Sequence, residues 1–393
     1  MKILHTSDWH IGASLNQEKR YDEFEKVLNH LVQTLREKEI QTIIIAGDVF
    51  DSSLPTNRAA ELYYSFLANA KTAGVKNIII TAGNHDSASF LEAPGHILQY
   101  LNVFISGQVD PENPDPCIIP LYEEKQKLSA VVCSVPYLRE KDIRRLTSGE
   151  DIDAQETKRL EGIKKYYSDI CARAKQLYPN APLIVTGHFY ADETNYYDAP
   201  DAVPVNTLGI DVDYFALGHL HSYQKVPGKL NAYYSGSLVQ MRCNEKMENK
   251  KMLLLDTCDL QKEPEIIELP VFQKLEKISG SMEEIHNRLD ELILSGEDVW
   301  IDVLNTGNFE ANLQPLLASK CAGTTVKLIS CDNSKINPAL SQYRRNSVKL
   351  EEVTPKKIFE RLLEGIAEEK RPELLGAFNE AVRSLEEDDA NAE

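Results

Sequence analysis

Five short apolar runs in the first 221 residues share an ending that core packing does not demand: a small residue, followed at once by a side chain able to hold a metal ion. The first closes in Thr6-Ser7-Asp8-Trp9-His10 and the second in Ala46-Gly47-Asp48-Val49-Phe50-Asp51. Ala82-Gly83-Asn84-His85-Asp86, Thr186-Gly187-His188 and Leu217-Gly218-His219-Leu220-His221 follow. The runs before these endings, such as Ile43-Ile44-Ile45 and Ile78-Ile79-Ile80, are short and β-branched, which predicts buried strands rather than helices. In α/β sheets, ligands gather beyond the carboxyl ends of the strands, so the five endings are expected to converge on one site. The run Ala130-Val131-Val132-Cys133-Ser134-Val135 lacks such an ending and serves as an internal control.

Between the strands lie amphipathic helices. Phe24, Val27, Leu28, Leu31, Val32 and Leu35 repeat at i, i+3, i+4, as do Leu62, Tyr63, Phe66, Leu67 and Ala70. A third helix is expected from about Ala154 to Leu177. Strand–helix alternation of this kind predicts an α/β domain over residues 1–269. The pattern changes near Leu269-Pro270. A small α+β domain, residues 270–330, is expected from the helix bearing Met282, Ile285, Leu289 and Leu292 and from the strands around Val299–Val303 and Thr325–Ile329. Residues 331–353 read as a linker. Residues 354–393 read as two short helices with an acidic tail, opened by the cap Thr354-Pro355.

The formal charge of -18 argues against a simple nucleic-acid coat protein, whose phosphate contacts usually leave a basic footprint. It does not exclude a nuclease, because bound divalent cations offset acidity locally. Seven cysteines with no C-x-x-C pair argue against a disulfide framework and fit a reducing cytosol. No apolar run approaches the roughly 20 residues a membrane span needs, and Met1–Leu4 is too short an apolar start for an export signal. A cytoplasmic, nucleoid-associated protein is expected.

Carboxylate, amide oxygen and neutral imidazole together suit Mn²⁺, Fe²⁺ or Zn²⁺. Seven candidate ligands are too many for one tetrahedral ion but fit two ions sharing a carboxylate, the arrangement used to hydrolyse phosphate esters. The series Asp-x-His, Gly-Asp-x-x-Asp, Gly-Asn-His-Asp, Gly-His and Gly-His-x-His, in that order, resembles the calcineurin-like metallophosphoesterase superfamily. Within it, Ser7-Asp8-Trp9-His10-Ile11-Gly12 at the start of the chain, with this length and domain order, is similar to the double-strand-break repair nuclease family. The motif match covers about residues 1–240; beyond Leu269 the likeness rests on domain order and helix pattern.

The resemblance implies a four-layer α/β/β/α sandwich with a small capping domain and a C-terminal helical tail. It implies that Asp8, His10, Asp48 and His221 hold one ion, and Asp48, Asn84, His188 and His219 the other, with Asp48 bridging and Mn²⁺ as the metal. His85 would act on the scissile phosphate without binding metal, and Asp51 would orient it. The substrate would be DNA ends and hairpins. The partner would be an SMC-like ATPase gripped by the C-terminal helices, in a heterotetramer containing a homodimer of this chain. Two other readings stand beside this one: another phosphoesterase of the superfamily, such as a cyclic-nucleotide phosphodiesterase or a phosphatase, and a non-catalytic metal-binding scaffold.

Several residues carry two readings. Asp86 belongs either to the metal site's surroundings or to a turn cap. Arg139, Lys141, Arg144 and Arg145, like Lys246, Lys250 and Lys251, touch a DNA backbone or form a solvated face. Leu62, Tyr63 and Phe66 fit a dimer interface or a core. His5, His30, His96 and His286 lie outside the motifs and read as structural or surface residues.

Overall fold

A computed structural model describes residues 1–139, 142, 152–191, 202–245 and 249–334. The expected helices beyond Thr354, and Lys141, Arg144, Arg145 and Lys246, lie outside the described residues. The chain divides into two compact units, Met1–Leu275 and Glu276–Glu393.

In the first unit, β1 (Lys2–Thr6) is followed by the small hairpin β2 (Ser14–Leu15) and β3 (Glu18–Lys19), then helix α1 (Tyr21–Glu37) and β4 (Thr42–Ala46). Helix α2 (Asn57–Thr72) leads to β5 (Asn77–Thr81) and β6 (Val103–Ser106). The chain then forms β7 (Ile118–Tyr122), β8 (Leu128–Cys133), the helix Ile152–Leu177, β9 (Leu183–His188) and β10 (Tyr214–Gly218). Short strands β11 (Gln224–Lys225) and β12 (Ala232–Tyr234) precede β13 (Lys251–Asp256) and β14 (Glu265–Glu268).

These strands make two six-stranded sheets, ordered β14-β13-β1-β4-β5-β6 and β11-β12-β10-β9-β8-β7. Within the first, β1, β4, β5 and β6 are parallel; within the second, β8, β9, β10 and β12 are parallel. Strands covered on both faces must be apolar throughout, which is why these segments read as unbroken Ile, Val and Leu. Side-chain alternation divides each strand between two cores. Ile43, Ile45, Ile78 and Ile80 pack under α1 and α2, whereas Ile44 and Ile79 face the second sheet with Ile184, Tyr214 and Ala216. On the far side, Leu183, Val185, Phe215 and Leu217 pack with Ile163, Tyr167 and Ile170 of the helix Ile152–Leu177. The layers of this unit are therefore helix, sheet, sheet, helix. Leu62, Tyr63 and Phe66 are buried in the core between α2 and the first sheet, which settles them as packing residues.

A three-stranded sheet, ordered β15 (Lys274–Gly280), β16 (Val299–Asn305) and β17 (Val326–Asn333), belongs to the second unit from Glu276 onward. The helix Met282–Ser295 opens with a capping box between Ser281 and Glu284. Ile285, Leu289 and Leu292 bury against Val299, Ile301 and Val303. Strand β17 runs past Ser330 because Cys331, Asp332 and Asn333 continue the pairing with Val303, Leu304 and Asn305. Those residues are strand and not linker.

Candidate metal centre

Register brings the five endings together. Thr6 pairs with Ile45 and Ala46 with Thr81, so β1, β4 and β5 finish at one edge of the first sheet. Gly218 pairs with His188, so β9 and β10 finish level in the second. Pairing continues beyond the strands: Asp8 N–H donates to Gly47 O at 3.0 Å and His10 N–H to Asp48 O at 2.9 Å.

The backbone at the site is unusual. Asp8, His10, Asp48 and His219 have φ of 51°, 45°, 50° and 104°. Non-glycine residues seldom occupy that left-handed region, and each such residue costs roughly 1–3 kcal/mol that surrounding structure must offset. Two glycines make room for the ligands. A Cβ on Gly47, whose φ is +88°, would lie 2.1 Å from His188 Nδ1, and one on Gly83 would lie 2.0 Å from Asp48 Oδ1.

The donor atoms converge on Asp48. Its Oδ2 lies 3.2 Å from His188 Nε2 and 3.5 Å from His10 Nε2. Asn84 Oδ1 lies 3.1 Å from His188 Nε2 and 3.2 Å from His219 Nδ1. His10 Nε2 and His221 Nε2 are 3.1 Å apart. Ligand atoms of Asp8, His10 and His221 lie within 4.8 Å of one another, as do those of Asp8, Asp48 and His188. A third such group, His10 with Asp51 and His85, places the expected catalytic pair against the same site.

The donor set fits cations. His188 commits Nδ1–H to the Ala46 carbonyl at 2.9 Å, so its Nε2 lone pair faces the oxygens of Asp48 and Asn84. Only a proton or a metal ion makes that contact attractive. Burial disfavours a charged His188, but the Asp48 carboxylate outweighs it and lifts the ring's pKa to about 9. Burial also works against the Asp48 anion, yet His188 and His10 hold that carboxyl well below the usual range. Burial pushes Asp8 up to about 6, and it pushes His221 down to about 4, with the His10 and Lys250 charges acting the same way on His221.

Supporting residues emerge that sequence reading left open or missed. The Ser7 hydroxyl donates to the Asp8 carboxylate and touches Ser235 Oγ at 2.9 Å, while His219 N–H donates to Asp8 Oδ1 at 2.9 Å. Fully buried Asp86 accepts from the main-chain N–H of Val49, Phe50 and Gly83 at 2.9–3.0 Å, tying the β4 and β5 exit loops together. Lys250 Nζ donates to the His221 carbonyl at 2.9 Å and pairs with Glu245 at 2.6 Å. Nothing local in the sequence marks Lys250 for that role.

Asp51 and His85 are arranged differently from the expected carboxylate–imidazole pair. The His85 Nδ1–H donates to the main-chain carbonyl of Asp51 at 2.9 Å. The Asp51 carboxylate instead lies 3.4 Å from His10 Nδ1. His85 N–H donates to Asp48 Oδ1 at 2.9 Å, and the His85 ring is exposed.

Residues 1–223 match the calcineurin-like phosphoesterase family. The chain is a calcineurin-like phosphoesterase. Residues 271–365 of this phosphoesterase match a second family, described as the type 5 capsule protein repressor C-terminal domain. It is similar to the SbcD subunit of nuclease SbcCD from Escherichia coli strain K12, 28% identical over 400 residues that cover 98% of each chain. The same subunit from Rhodobacter capsulatus is 31% identical over 271 residues, 65% of this chain and 66% of that one. Its Bacillus subtilis counterpart is 27% identical over 272 residues, 65% of this chain and 66% of its own. Among the described residues no helix is long and apolar enough to cross a membrane.

Proposed function

We propose that this phosphoesterase is a metal-dependent nuclease that hydrolyses DNA phosphodiester bonds at ends and hairpins. The carrying observation is the convergence of Asp8, His10, Asp48, Asn84, His188, His219 and His221 at one strand edge, beside an exposed imidazole, His85, that is held by main-chain oxygen. Similarity to the SbcD subunit of nuclease SbcCD along 98% of the chain supports the nuclease reading.

Asp8, His10, Asp48 and His221 would hold one divalent ion, and Asp48, Asn84, His188 and His219 the second, with Asp48 shared and Mn²⁺ matching the mixed oxygen and imidazole set. When bound, the ions supply Lewis acidity, activate water and offset phosphate charge. The protein supplies position. Asp8 and Asp48 are immobilised by hydrogen bonds from Ser7, His219 N–H and His85 N–H, so their oxygens cannot swing away from the site. His85 holds Nδ1–H on the Asp51 carbonyl, which leaves Nε2, when it carries a proton, to donate to a phosphate oxygen and to deliver that proton to the leaving oxygen. The partner would be an SbcC-like ATPase bound through residues 354–393, in a heterotetramer containing two copies of this chain, acting in the cytoplasm at the nucleoid.

The test uses a labelled hairpin-ended duplex with purified protein, with and without the ATPase, in Mn²⁺ or Mg²⁺. Wild type should cut in Mn²⁺, and Asp48→Asn, which removes a charge shared by both ion sites, should lose metal and cutting together. Wild-type cleavage by an Asp48→Asn protein at full metal content would sink the assignment.

A further inference from the structure

Strand β8 ends at the same edge as β9, to which it is parallel, yet its exit carries no metal ligand. The segment after it turns toward the site. Val135 N–H donates to Thr186 Oγ1 at 2.7 Å, and Tyr137 N–H donates to the Ala82 carbonyl at 2.8 Å. Two residues on, Arg139 Nη2 donates to the main-chain carbonyl of Asp86 at 2.9 Å, and its own N–H donates to Asp142 Oδ2 at 3.0 Å. Asp86 directly follows His85, whose N–H is bonded to Asp48.

Arg139 is half-buried, and among the described residues no carboxylate pairs with its guanidinium. One guanidinium nitrogen is fixed by a neutral acceptor, so the positive charge stays unneutralised. The fixed fork of remaining N–H donors suits a planar pair of phosphate oxygens. The chain carries -18 overall, and a cation fixed on the carbonyl next to His85 is placed to meet an anion brought by the substrate.

We propose that Arg139 is a phosphate-contacting residue that holds the nucleic-acid backbone phosphate next to the scissile bond. The proposal rests on the nuclease reading above and adds a substrate contact to it. It implies that Arg139 matters only for substrates with a flanking phosphate. A small chromogenic phosphodiester has one phosphate and does not reach it.

Arg139→Ala and Arg139→Lys should be compared with wild type on single-stranded DNA, on bis(p-nitrophenyl) phosphate, and by calorimetric titration with Mn²⁺. The expected result is a fall in kcat/KM on DNA of about 10–100-fold for Arg139→Ala, the range seen when a bidentate charged contact worth about 1.5–3 kcal/mol is removed. Hydrolysis of the small diester and Mn²⁺ affinity should stay unchanged, and Arg139→Lys should recover part of the loss. The slope of log DNA affinity against log salt should drop by about 0.7, the share of one phosphate on a single strand. An equal fall on both substrates would make Arg139 a brace for the His85–Asp86 loop and overturn the proposal. Unchanged DNA cleavage in Arg139→Ala would overturn it too. A wild-type protein that hydrolyses the small diester but neither binds nor cuts DNA would sink the nuclease reading, and this contact with it.

Discussion

Asp51 and His85 show how a local pattern names the right residues and leaves their division of labour open. The spacing places both near the metal ligands, and the resemblance pairs the carboxylate with His85. In the structure the main chain of Asp51 holds His85, while its side chain, 3.4 Å from Nδ1, serves His10. The two substitutions should therefore part company. His85→Gln should keep its metal and slow cleavage by about 10²–10⁴-fold, the usual worth of a positioned acid or base. Asp51→Asn removes the carboxylate charge 3.4 Å from His10 Nδ1 and should weaken metal binding by about 10–100-fold, as loss of a group that supports a ligand does, and leave turnover of the fully loaded protein near wild type. Metal titration alongside single-turnover cutting separates them. Loss of metal from His85→Gln would make His85 a ligand.

Between elements, the first sheet is joined to the second through a residue that the motifs pass over. His5, on β1, is fully buried, with Nε2–H on the Leu217 carbonyl at 3.2 Å and Nδ1 accepting from the Tyr214 hydroxyl at 3.0 Å. Both partners are on β10, so this ring links the sheets in its neutral form. Burial lowers its pKa from 6.5 to about 3. Between those values the unfolded chain holds a proton that the folded ring does not, so stability from this residue is complete above about pH 6.5 and drains as pH falls. In chelator, the urea midpoint of wild type should fall between pH 6.5 and 4.5 more steeply than that of His5→Leu. The difference should approach one proton, about 1.4 kcal/mol per pH unit at most. Parallel pH profiles for the two proteins would refute this.

At the scale of the whole molecule, chemistry and the proposed partner contact occupy different parts of the chain. Every candidate ligand lies in Met1–Leu275, the last being His221, while the proposed ATPase contact lies beyond Val353. Part of the -18 charge also gains a local meaning here, because Asp8 and Asp48 are buried at the candidate cation sites rather than exposed to solvent. Truncation after Val353 should spare Mn²⁺-dependent cleavage of single strands and small diesters. The same truncation should lose co-purification with the ATPase and ATP-stimulated cutting of duplex ends. Undiminished association would place the anchor elsewhere in the chain.

Short stretches of sequence specify the strands that carry the five endings, the main helices and the endings themselves. Each is written within a dozen residues: β-branched runs, a 3.6-residue stripe, a glycine before a ligand. The sequence by itself also determined that these endings belong together, because parallel strands present their carboxyl ends to one edge. Tertiary structure alone decided the rest. Asp86 clamps Val49 and Phe50 across 37 and 36 positions, and His5 meets Tyr214 across 209. Strands β13 and β14 extend the first sheet only because Lys2–His5 offers an edge to Leu253–Asp256. Lys250 finds the main-chain carbonyl of His221 and Arg139 that of Asp86, on loops that no periodicity links. A carbonyl accepts the same hydrogen bond whatever residue bears it, so such partners leave no trace in residue type, and only the fold reveals them.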